Sequence, residues 1–366
     1  MHRFLDFVRR AFSKDGMSDQ SQPTAYLVAP SVSRPIALWL FMVTAFLVGM
    51  IVVGGATRLT DSGLSITEWK PVTGAIPPLS EAAWQAEFEK YQQIPEYRLQ
   101  NRGMSLSEFK SIYRWEWGHR LLGRLIGFVV LIPMLVFAIK GQITRRLGRR
   151  LLLLLGFGAF QGALGWWMVS SGLGGLDDRL DVSAYRLATH MGMALLILGF
   201  AFWTALDVHQ GERLTNTDKR FARIALGFMA LVWVQAILGA FVAGTDGGFI
   251  NNTWPMMDGG FLPEAYGRLS PFWRNFFENP AAAQFDHRMG AYLVLASAIA
   301  TSIIAWKQSN PAIRQAAGLV LVLVCAQVLL GIWTLLAVTP VPLGIAHQAL
   351  GALVFLSAVR LAHNSR

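Results

Sequence analysis

A chain of 366 residues that is 54% hydrophobic and only 15% charged, with 13 Trp and a net charge of +10, carries more apolar surface than a soluble domain can bury. Its mean hydropathy of +0.42 excludes the soluble globular classes, and basic residues scattered between apolar runs exclude a nucleic-acid face, which needs them gathered. One cysteine, Cys325, excludes an intramolecular disulfide and a cysteine metal cluster, and inside an apolar run it reads as core filling. What remains is an all-α polytopic membrane protein.

Residues 1–34 are mixed, basic and Ser-containing, without the apolar run and cleavage site of a secretory signal, and read as a cytoplasmic tail. Runs able to cross about 30 Å of hydrocarbon at about 20 residues each then follow. They are Pro35 to Thr57, Trp115 to Ile139, Leu151 to Ser170, Leu187 to Leu206, Ile224 to Gly244, His287 to Trp306, Ala316 to Ala337 and Gly344 to Leu361. These predict eight transmembrane helices: a four-helix half over 35–207, a cytoplasmic linker over 208–223 and a second half over 224–362. The connections Lys140 to Arg150, His209 to Arg223 and Lys307 to Arg314 are short and basic, whereas Val338 to Leu343 has no charge. The positive-inside rule then places both termini in the cytoplasm and the long loops, Arg58 to Arg114 and Thr245 to Asp286, outside.

The two halves are copies. Thr60, Asp61, Gly63, Trp69, Gly74 and Pro78 of TDSGLSITEWKPVTGAIPP match Thr245, Asp246, Gly248, Trp254, Gly259 and Pro263 of TDGGFINNTWPMMDGGFLP at one constant offset. The third span has Gln161, Gly165 and Trp167 and the seventh has Gln327, Gly331 and Trp333 at the same QxxxGxW spacing. Four spans per copy make the repeats parallel, giving two pseudo-symmetric four-helix bundles.

Position sorts the histidines. His2, His209 and His363 lie in termini or a loop and read as solvated surface residues. His119, His190, His287 and His347 each stand near the start of an even-numbered span, so all four lie near the outer surface at similar depth. Two imidazoles on adjacent helices can present one ring to each face of a planar macrocycle, and neutral imidazole is an axial ligand of haem iron. Zinc is the competing metal, but there is no Cys partner and no local HxxxH or HExxH array. Arg120 and Arg288, next to His119 and His287, are cations placed to pair with haem propionates or to snorkel to headgroups. Aligning His119 with His287 sets Glu116 opposite Gln284. A carboxylate can move protons or stabilise positive charge where an amide cannot, so Glu116 is the candidate for chemistry; its alternative role is an ion pair with Arg114 or Arg120.

Eight spans in two halves, an ExxH in the second span, single histidines in the fourth, sixth and eighth, and the TDSGLSITEWKPVTGAIPP segment resemble the haem A synthase family, in its alphaproteobacterial and mitochondrial branch. The resemblance runs from about Pro35 to Leu361. It implies an oxidoreductase that converts haem O to haem A, oxidising a ring methyl to a formyl group by successive hydroxylations. His287 and His347 would hold a haem b cofactor, and His119 and His190 with Glu116 would mark the haem O side. Implied partners are an electron donor, haem O synthase, cytochrome oxidase assembly factors and membrane lipid, with homo-oligomerisation left open and a bacterial inner membrane as location. Another branch carries a cysteine pair in an outer loop that this chain lacks. Two readings stay alongside: a dihaem cytochrome b-type electron carrier and a haem carrier without chemistry.

Overall fold

The computed structural model describes residue 27 and residues 30–174, 180–210 and 218–366. Eight helices in it are long and apolar enough to cross a membrane: α1 (Pro30–Leu59), α2 (Leu106–Ile139), α3 (Arg145–Val169), α4 (Ala184–Gln210), α5 (Lys219–Gly244), α6 (Pro280–Ala305), α7 (Pro311–Leu336) and α8 (Val341–Asn364). Apolar composition sets the spans, since a backbone in hydrocarbon must satisfy its own hydrogen bonds. Capping chemistry sets their ends. Ser105 and Glu108 form a reciprocal capping box at α2. Asn279 before Pro280 and Asn310 before Pro311 each accept from the first-turn N–H groups of α6 and α7.

The helices overrun the apolar runs. α1 begins at Pro30, inside the segment read as tail, and α2 begins nine residues before Trp115. Most of residues 1–34, and 211–217 of the linker, lie outside the described residues. α8 continues to Asn364, which corrects the reading of His363 as a surface residue. His363 is 3% exposed and bonds Asp207, itself fully buried. Asp207 also takes Arg150 of α3 and Arg366, so one carboxylate of α4 ties both halves together at the face carrying the C-terminus. His209 lies in the last turn of α4 with its ring 5.8 Å from that of Phe41. Cys325 is exposed on α7 rather than filling a core.

Packing repeats the duplication. α1 lies against α2 and α4, and α5 against α6 and α8; α4 meets α5 and α8 meets α1, so α1, α4, α5 and α8 form the seam between the bundles. Across it Gln348 of α8 donates to the Ile51 carbonyl of α1 (2.9 Å). A Cβ on Gly55 would overlap the Gln348 amide, so glycine lets these helices approach. The opposite face, which bears the long loops, holds a second core over the N-terminal half. There Phe88, Tyr91, Phe109 and Tyr113 pack with Leu64 and Ile66, joining the helix Glu81–Tyr91 to the top of α2.

Candidate functional site

The four histidines stand on α2, α4, α6 and α8, one per even helix. Each lies about two turns into its helix, except His119, which the longer α2 carries in about four turns. All four are half-buried. Every ring faces a glycine of the preceding helix: a Cβ on Gly54, Gly165, Gly239 or Gly331 would come within 3.2, 3.1, 3.1 or 2.8 Å of His119, His190, His287 or His347. At Gly331 a Cβ would overlap the ring, and at the other three it would press on it, so glycine leaves the ring its space.

Three of the rings are also clasped by a glutamine one turn before that glycine. Gln161 Nε2 donates to the His190 carbonyl (2.9 Å) and lies 3.2 Å from its Nδ1. Gln235 does the same to His287, at 2.9 and 3.0 Å. Gln327 donates to the His347 carbonyl (3.0 Å) and sits 3.4 Å from its Nε2. In all three the amide oxygen is buried without a partner. The sequence signal was QxxxG; the added Trp restricts the motif to two spans and hides the fifth, where Phe241 takes that place.

His287 and His347 have ring centres 6.4 Å apart with planes at 78°. Two imidazoles on opposite sides of one metal, at about 2 Å per bond, have centres about 6 Å apart. The C-terminal pair therefore fits a bis-imidazole iron. Each glutamine sets its amide Nε2 beside the ring and keeps an unpartnered acceptor oxygen, a polar neighbour of the kind that metal-bound histidines generally have. Among the described residues no third His, Cys, Asp or Glu joins either pair, which suits a metal whose remaining positions a macrocycle fills better than a bare zinc ion. His119 and His190 lie within electrostatic reach of each other in the N-terminal half.

The residues beside these rings hold the long loops. Glu116, 2% exposed, accepts from Ser65 Oγ and Ile66 N, both at 2.7 Å, and from Arg120 Nε and Nη2 at 3.1 and 2.6 Å. Arg120 also donates to the carbonyls of Ile66 and Glu68 and lies over the Trp166 ring, which stacks on Trp69. Gln284 mirrors Glu116 with opposite polarity. Its Nε2 donates to the carbonyls of Gly247 and Ile250, and its Oε1 accepts from Arg288, which also reaches the carbonyls of Asn251 and Thr253. The first loop turns an N–H and a hydroxyl toward its helix, so the helix supplies a carboxylate. The second turns carbonyls, so the helix supplies an amide. Both arginines are thus engaged by loop backbone, and the Glu116–Gln284 difference has a structural cause that sequence comparison does not reveal.

A family model described as cytochrome oxidase assembly protein matches residues 37–359. The chain belongs to the cytochrome oxidase assembly protein family. Within that family it is 51% identical over 328 residues to the haem A synthase of Parvibaculum lavamentivorans, covering 90% of this chain and 93% of the relative. It is 48% identical to the haem A synthase of Maricaulis maris over 91% of this chain and 97% of that one. The haem A synthase of Paracoccus denitrificans is 46% identical, with coverages of 90% and 88%. The match spans both four-helix halves of this family member, so all four histidines, Glu116 and the two clasped loops fall inside it.

Proposed function

We propose that this protein is a haem A synthase that takes haem O in its N-terminal half and uses a haem b held in its C-terminal half. The carrying observation is the paired histidines, three of the four clasped by QxxxG glutamines and, in the C-terminal half, standing with ring centres 6.4 Å apart. His287 and His347 would hold haem b, which when bound supplies one-electron redox chemistry. His119 and His190 would hold the substrate haem. The substrate methyl becomes a formyl group by two hydroxylations and loss of water, a net four-electron oxidation that needs an oxygen source and an electron acceptor or donor outside this chain.

The chain's own residues orient the substrate. Glu116 and Arg120 fix the segment Ser65 to Glu68 against α2, one turn before His119. Trp69 and Trp166 stack beside them. Proton transfer by Glu116 requires one of its four hydrogen bonds to release first, so in the arrangement described it is an anchor for the site. Arg120 and Arg288 keep their cations on the loop side of the histidines, where propionates would meet them. We place both termini in the cytoplasm, from the basic short connections, and the protein in a bacterial inner membrane beside the enzyme that supplies haem O.

The test is expression in a host that makes haem O and no haem A, followed by acid-acetone extraction, chromatography and mass measurement. Haem A appears if the proposal holds. Two permanently bound haems with no haem A would instead establish an electron carrier, and haem O bound unchanged would establish a carrier without chemistry.

A further inference from the structure

The glutamine clasp is present on three histidines and absent from the fourth. At the repeat offset that aligns Gly54 with Gly239, Gln235 is matched by Met50. Met50 lies where the amide would be: its methyl would be 3.3 Å from a Cβ on Gly123, one turn after His119, as Gln235 abuts Gly290 one turn after His287. A thioether offers no N–H to the His119 carbonyl and no strong acceptor to its ring. Among the described residues the His119 ring has no hydrogen bond, and its orientation differs from the rest. Gly54 faces its Nε2, whereas Gly165, Gly239 and Gly331 each face Cε1 of their histidines.

We propose that Met50 leaves His119 as the exchangeable ligand of the N-terminal site, while Gln161 fixes His190 as its permanent one. This rests on the haem reading of the four histidines and deepens it. A synthase must release its product from one site and retain its cofactor in the other, and the chain builds that difference by omitting one positioning residue. Partners in the position of these glutamines orient the ring, and losing one typically weakens a metal site by about 10–100-fold. The C-terminal pair has both clasps; the N-terminal pair has one.

The experiment loads the purified full-length protein with ferric haem b and follows transfer to excess apomyoglobin by the Soret change. Wild type releases haem in two phases, the fast one from the N-terminal half. Met50→Gln slows the fast phase by about tenfold or more and leaves the slow one unchanged; Met50→Leu behaves as wild type. The reciprocal Gln235→Met speeds the slow phase by about the same factor, which keeps the test decisive if Met50→Gln does not fold. A fast phase within twofold of wild type in folded Met50→Gln overturns the proposal, as does equal slowing by Met50→Leu. Failure of the underlying haem reading looks different: wild type then has no fast phase, or His190→Ala leaves both phases intact.

Discussion

Replacing Glu116 tests whether that carboxylate is first an anchor or first a catalyst. Glu116→Ala removes the acceptor for Ser65, Ile66 and two Arg120 nitrogens and leaves Arg120, 18% exposed in its side chain, with two loop carbonyls and the Trp166 ring but no anion. Breaking a buried ion pair from one side costs about 3–5 kcal/mol. Glu116→Gln keeps one acceptor oxygen but turns an NH2 toward either the Ile66 N–H or the guanidinium, a mismatch of about 1–3 kcal/mol. Equilibrium unfolding in mixed micelles should rank wild type above Gln and Gln above Ala, and proteolysis should open the segment around Ser65 in the same order. Gln284→Glu, which sets a carboxylate against the carbonyls of Gly247 and Ile250, should destabilise the C-terminal loop comparably. If Glu116→Gln unfolds and is cleaved like wild type yet makes no haem A, the anchoring argument is wrong and the carboxylate acts in the chemistry itself.

Burial pushes the Glu96 carboxyl, 4% exposed and bonded to Tyr91, up from 4.5 to about 7, with Asp61, Asp181 and Glu116 adding to the rise. Its neutral form is favoured in the fold, so its stabilisation is complete below the ordinary carboxylate value and is lost as pH rises through about 7. That is a loss of about 3 kcal/mol, visible as faster hydrogen exchange around Tyr91 at pH 8 than at pH 5 after correction for intrinsic rates; Glu96→Gln should abolish the difference. Gly331→Ala places a Cβ 2.8 Å from His347 Cε1, so the ring must shift, and the optical spectrum of any haem that His287 and His347 bind should change, with the N-terminal site unaffected. Asp207→Ala removes the carboxylate that Arg150, His363 and Arg366 share at the seam; a loss of about 3–5 kcal/mol is expected in unfolding, and an unchanged midpoint would show the cluster to be solvated.

The histidines divide what the sequence reveals from what it conceals. Their place on the even spans was legible because hydrocarbon demands long apolar runs, and the duplication was legible because matching loops share an offset. His363 was misread because α8 runs beyond its apolar stretch, and burial against α4 leaves no local mark. The clasping glutamines were half visible, in two spans of three.

By itself the sequence determined an eight-helix duplicated membrane protein, the four histidines of its candidate sites and its family. Solvent exclusion writes those features into composition and spacing. Only the tertiary structure decided why Glu116 faces Gln284 across the repeat and why Met50 stands where a glutamine would. Whether a distant loop turns N–H groups or carbonyls toward a helix, and which side chain reaches a given ring, depends on backbone orientation and interhelical packing, which no local pattern encodes.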